Sequence, residues 1–161
     1  MSRYTLVSEW ALGAPIERAW SALITTRDWP GWWKYVERAE EIQKGDAAGV
    51  GAITRYTWSS RLPYRLTFDM RTTVVEKPHR IEGVALGDLK GEGRWRLRED
   101  GAATRVEYTW SVDTGKAWMN LFAPLLAPMF EWNHGQVMLE GGRGLARHLG
   151  ARLLSVNGKP C

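Results

Sequence analysis

Two adjacent polar residues, Asn133 and His134, stand in the apolar middle of a helical pattern that runs from Lys116 to about Arg152. Counting from Phe130, positions 133/134, 137, 141 and 144/145 share one helical face, so one of the pair points at whatever the helix packs on. A polar group buried there costs about 1–3 kcal/mol if it has no partner. Three roles satisfy that requirement. The side chain can bond backbone carbonyls freed by Pro128, it can anchor a ligand in an apolar space, or His134 can act as a general base. Tyr56, Thr72 and Tyr108 are the candidate partners within the chain. Glu131 is the carboxylate at helical spacing from His134, but it is expected on another face.

Other signatures of chemistry are absent. Gly115-Lys116 is followed by Ala117, and Trp110 stands where a phosphate-binding loop needs its first glycine. Gly49-Val50-Gly51 has Thr54 in place of the third glycine of a dinucleotide fingerprint, and no Gly-x-Ser-x-Gly elbow occurs. His79, His134 and His148 lack metal-ligand spacing with Cys, Asp or Glu, so neither a metal nor a cofactor is expected. Cys161 is the sole cysteine, which rules out an intrachain disulfide and suits a reducing compartment.

A formal charge of +4 raises the question of nucleic acid. Arg94, Arg96 and Arg98 alternate along one strand, however, and Glu82, Glu92, Glu107 and Asp69 fall where neighbouring strands can pair with them. Arg143, Arg147 and Arg152 suit a helix C-terminus. No nucleic-acid partner is therefore expected. With 161 residues, 44% of them hydrophobic, the chain suits one domain over residues 1–155 followed by a tail at 156–161. It has neither a secretory h-region nor a run of about 18 apolar residues, so the expected location is cytoplasmic, with no integral membrane association.

Periodicity places the elements around the polar pair. Tyr4, Leu6, Ser8, Trp10 and Leu12 alternate as a half-buried strand, and Pro15 precedes helical spacing at Ile16, Ala19, Trp20, Leu23 and Ile24. A second short helical piece surrounds Trp29-Pro30-Gly31-Trp32-Trp33. Six strands then succeed one another with short connections. The clearest runs from Tyr64 to Val75, with Leu66, Phe68 and Met70 on one face and Arg65, Thr67 and Asp69 on the other. Gly83, Gly87, Gly91 and Gly93, in two adjacent strands, mark a bend, a bulge or the close approach of another body. Pro124 and Pro128 are expected to divide the last helix into a lid-like or irregular segment near Trp118 to Leu126 and a packed helix from about Met129.

The order of elements, the Trp29–Trp33 segment, Gly91-Glu92-Gly93-Arg94-Trp95 and the closing helix with Trp132-Asn133-His134 resemble the helix-grip superfamily. That group includes polyketide cyclase and dehydrase-like proteins, steroidogenic lipid-transfer domains and the birch-pollen allergen. The resemblance covers nearly the whole chain through diffuse patterns of aromatics and glycines. It implies an α+β fold: a seven-stranded curved antiparallel sheet wrapped around a long C-terminal helix, with two short helices between strands 1 and 2. It also implies an apolar cavity for a hydrophobic small molecule such as a lipid, sterol or polyketide. An enzyme is not implied.

On that frame, strand alternation and helical spacing give a lining of Tyr56, Trp58, Tyr64, Leu66, Phe68 and Met70. Leu86, Trp95, Tyr108, Trp110, Met129, Asn133 and Val137 complete it. Trp29, Trp32 and Trp33 are expected as a gate, or else as a lid packed permanently over the end of the sheet. Binding or transport of a hydrophobic or aromatic molecule is the first functional expectation. A polyketide cyclase or dehydratase is the second, with Asn133, His134 or a cavity tyrosine orienting an enolate. The third is a module that meets a protein or membrane surface through its basic face and the Trp29–Trp33 segment.

Overall fold

Alternating apolar and polar residues build most of this protein, and the computed structural model describes it over residues 3–87, 89–114 and 123–161. Strand β1 (Arg3–Leu12) leads to α1 (Ile16–Ile24), a 3-10 turn (Thr26–Asp28) and α2 (Trp29–Trp32). Six strands follow: β2 (Val36–Gln43), β3 (Ile53–Trp58), β4 (Leu66–Glu76), β5 (Arg80–Gly87), β6 (Leu89–Asp100) and β7 (Ala103–Thr114). Helix α3 (Ala123–Leu149), β8 (Leu153–Val156) and β9 (Lys159–Pro160) close the chain. The strands form one sheet in the order β2-β3-β4-β5-β6-β7-β1-β8-β9, and each strand pairs antiparallel with its neighbours.

The sheet has nine strands rather than the expected seven. The extra pair comes from residues that the sequence reading assigns to the helix end and to a 156–161 tail. Gly150, at φ +63°, ends α3, and the bonds Ala151 N–H to Ala146 O and Gly150 N–H to Arg147 O close the last turn in a Schellman arrangement. Asn157 and Gly158, both at positive φ, then turn β8 back into β9. An Asn-Gly pair is the strongest short hairpin signal in any sequence, so this element was there to be read. Helix α3 also differs from expectation: it is continuous through Pro128, and residues 123–126 belong to it. The rest of the lid-like segment, Trp118 included, lies outside the described residues.

Curvature arises where the glycines predict it. Gly83 stands opposite Gly93, and β4 bulges between Thr72 and Val74 at the same level. The Met70 side chain occupies the space those two glycines leave, its Cε within 3.1 and 3.3 Å of where their Cβ atoms would sit. On the outer face the charges pair across strands. Arg55 holds Asp69 through two bonds of 2.8 and 3.1 Å, Arg105 bridges Glu9 and Asp100, and Arg80 and Arg94 share Glu82.

Helix α3 lies in the concave face through a glycine-tryptophan grip. Trp33 packs on Gly141 and donates its indole N–H to Val137 O at 2.9 Å; Trp10 packs on Gly142 and donates to Met138 O at 3.0 Å. Each ring therefore sits on one glycine and bonds the carbonyl four residues before it. Glycine at 141 is required for the Trp33 contact, where a Cβ would come within 2.4 Å of the ring, while a Cβ at 142 would press on the Trp10 ring at 3.0 Å.

Candidate functional site

Between the concave face of the sheet, α2 and α3 there is a cavity of about 170 Å³. Its floor is Trp29 and Trp33, fixed by indole bonds to Ala22 O and Val137 O. Strand β3 supplies Trp58, which stands edge-on to Trp33 at 5.0 Å, and the segment after it supplies Ser59, Ser60 and Tyr64. Leu66 and Phe68 come from β4, Trp95 from β6, and Tyr108 and Trp110 from β7. The Trp95 and Tyr108 rings lie 4.3 Å apart, tilted by 36°. Tyr108 leans along the sheet over Gly93, whose Cβ would fall 2.6 Å from the tyrosine Oη. Glycine at 93 thus sets where that hydroxyl lies. Asn133, His134 and Val137 close the cavity from α3.

The wall is uncharged. No Asp, Glu, Lys or Arg lines the cavity among the described residues. Burial holds the Tyr108 phenol well above its usual range and pushes His134 down to about 4, so both are neutral at pH 7. Two of the lining residues carry a polar atom that is buried without a partner among the described residues: Trp58 Nε1, a donor, and Asn133 Oδ1, an acceptor. Asn133 is only 8% exposed, so water does not readily substitute. None of the hydroxyls of Tyr56, Thr72 and Tyr108 satisfies that oxygen.

Four of the expected lining residues lie elsewhere. Tyr56 is behind the floor, stacked on Trp29 at 5.4 Å with Thr26 and Thr54 at its hydroxyl. Met70 is on the inner face but is taken up by the glycine gap. Leu86 points outward opposite Asp69, because Ala85 is the residue of β5 that faces in. Met129 is on the outer side of α3, and Phe130 lines the cavity instead. The Trp29, Trp32 and Trp33 gate is also corrected. All three are buried, and Trp32 stacks on His148 away from the cavity, so the segment is a packed wall. Leu6, Leu89, Val112 and Met138 line the cavity beyond the expected set. For Leu6 and Val112 the signal is present in the alternation of their strands.

The buried imidazole has a measurable consequence. The folded-state pKa of His134, about 4, lies below the ordinary 6.5, so the unfolded chain binds this proton first as the pH falls. Its contribution is intact above pH 6.5 and is lost progressively down to about pH 4, by roughly 3 kcal/mol. Urea unfolding of wild type and His134→Leu at pH 7, 5.5 and 4 should show a shallower acid loss for the variant. Parallel pH curves would exclude a buried neutral histidine.

A family model described as polyketide cyclase/dehydrase and lipid transport matches residues 5–150. No curated protein sequence matches the chain. Among solved structures, it is similar to an aromatase/cyclase (Zhui) from Streptomyces sp. R1128, with 15% identity over 92% of this chain and 94% of that one, at a TM-score of 0.75. A START superfamily protein from Mycobacterium smegmatis gives 13% identity, 91% and 97% coverage and a TM-score of 0.75. A protein from Thermus thermophilus gives 17%, 90% and 99%, and 0.74. At these identities the likeness is one of fold. Among the described residues no helix is long and apolar enough to cross a membrane.

Proposed function

Because the chain belongs to the polyketide cyclase/dehydrase and lipid transport family, we propose that it binds a hydrophobic, aromatic small molecule in the cavity between sheet and α3. The observation that carries this reading is an aromatic-walled space of about 170 Å³ with no charged side chain among its described lining residues. An apolar cavity of about 150 Å³ is enough to take up benzene. A one- or two-ring molecule therefore matches this conformation better than a sterol or a long acyl chain does. Flat rings also suit walls built from Trp95, Tyr108 and Trp110, whose faces offer stacking at about 4–7 Å.

Binding is favoured over catalysis. His134 lines the cavity as a neutral imidazole, as a general base would, yet no hydrogen bond orients it among the described residues. Native mass spectrometry of protein purified from its host should reveal a co-purifying aromatic molecule. Since Trp29, Trp33, Trp58, Trp95 and Trp110 surround the cavity, tryptophan fluorescence should change saturably on adding ligands from an aromatic panel. A protein that emerges empty and gives no fluorescence response to that panel would refute the reading. Turnover abolished by His134→Ala, with binding retained, would establish the enzyme instead.

A further inference from the structure

Helix α3 is held unequally along its length. Its C-terminal half is seated on the tryptophans: Trp33 packs on Gly141, Trp10 on Gly142, the Trp32 carbonyl lies against Gly144, and Met138, Leu145, Ala146 and Leu149 are buried. The N-terminal half has no such seat. From 124 to 134 only Asn133 is buried, and Leu125, Met129 and Trp132 are 77%, 38% and 49% exposed. Pro128 has no N–H to donate to the carbonyl of Pro124, so one rung of the helix is missing there. Gly135 divides the two halves, with nothing within 4 Å of its Cβ position. Glycine is also the residue that most readily leaves helical geometry, proline aside.

The unseated half covers the cavity. Phe130, Asn133 and His134 line it from α3, and Ser59, Ser60 and Tyr64 line it from the segment between β3 and β4. That segment is shaped by its own bonds, Leu62 N–H to Ser60 Oγ at 3.1 Å and Tyr64 N–H to Leu62 O at 2.9 Å. From its tip the exposed Arg61 reaches over the Trp132 ring, 5.6 Å from the centroid. A cation–π contact thus ties the segment to α3.

We infer that ligands enter and leave by a swing of residues 124–134 about Gly135, with Arg61 on Trp132 as the latch. The inference rests on the cavity-binding reading and adds to it a route and a control of rate. The glycine seats keep the other half of α3 in place during the swing, so the tryptophan wall is not unpacked. Neither Arg61 nor Trp132 lines the cavity. The latch is therefore made equally in the empty and the filled protein, and it cancels from the equilibrium affinity while it sets how often the cavity opens.

The test follows 1-naphthylamine, an uncharged two-ring probe that accepts tryptophan emission, by stopped-flow mixing and by displacement. Arg61→Ala and Trp132→Leu should each raise the association and dissociation rates about two- to fivefold, the weight of an exposed cation–π contact. The Kd should stay within about twofold. Trp132→Phe, which keeps a ring, should remain nearer wild type. Gly135→Ala should slow both rates by up to about fivefold, because it stiffens the helix where the swing needs it to bend. Arg143→Ala, at an exposed position on the seated half, should change neither rate. Amide exchange without ligand gives a second readout: Arg61→Ala should speed exchange of residues 129–134 and leave 141–149 unchanged.

Rates that do not move in Arg61→Ala and Gly135→Ala, or a Kd that changes through dissociation alone, would overturn the inference and leave the cavity-binding reading standing. If wild type does not bind 1-naphthylamine, amide exchange decides: unchanged exchange of 129–134 in Arg61→Ala would overturn the latch, and faster exchange confined to those residues would support it.

Discussion

Replacing Gly144 by alanine should cost about 3 kcal/mol or more and lower the melting temperature by roughly 6–12 °C. An added Cβ at this position would be driven into the backbone carbonyl oxygen of Trp32. Because the obstacle is backbone, no rotamer change can relieve the clash. Helix α2 would have to move away from α3, and that movement would pull Trp33 from Gly141 and break its bond to Val137 O. Gly141→Ala should be comparably harmful, because its Cβ would come within 2.4 Å of the Trp33 ring atoms. Gly135 is the control. It is in the same helix with nothing within 4 Å of its Cβ position, so Gly135→Ala should stabilise by up to about 1 kcal/mol through helix propensity. Thermal unfolding of the three variants checks the set. Equal small losses at 135, 141 and 144 would mean that the grip does not hold the helix.

Val137→Phe should abolish ligand binding, by about 100-fold or more, with stability changed by no more than about 1–2 kcal/mol. Val137 faces the cavity from α3, on the turn below the Trp33 and Trp10 contacts. A benzyl group there enters open space of about 170 Å³ rather than a packed core, so the usual cost of overpacking is small. It fills the part of the cavity a ring would occupy, and a rigid wall of buried tryptophans cannot retreat to restore it. Fluorescence titration and a melting curve on the same sample separate the outcomes. Full binding with an unchanged melting curve would show that ligands occupy another place.

Much of the site was legible before any coordinates. Strict alternation identified Leu66, Phe68, Trp95, Tyr108 and Trp110 as facing one side, and helical spacing set Asn133 and Val137 on the face of α3 that meets the sheet. Leu86 failed because β5 is short and glycine-interrupted: with Gly83 and Ala85 inside, small residues hold the concave face, and the larger apolar side chain is left outside. Met129 failed because spacing along a helix defines a face only to within a residue, and Phe130 is the one turned inward. Tyr56 was assigned to the correct face, but facing inward is not the same as reaching the cavity. Trp29 lies in between.

The sequence alone determined the α+β order, the antiparallel strand succession, the glycine-marked bend and the polar pair in the last helix, because each is a local matter of period, turn chemistry or composition. It also contained the Asn157-Gly158 turn, whose hairpin adds β8 and β9. Only the tertiary structure decided that the three clustered tryptophans form a packed wall, that Gly141 and Gly142 are seats for indole rings, and that Trp58 Nε1 and Asn133 Oδ1 are left without partners among the described residues. Those properties depend on which atoms from distant segments arrive at the same place. A hydrogen bond that is not made has no signature in the order of residues, because its absence is known only when every possible partner has been located.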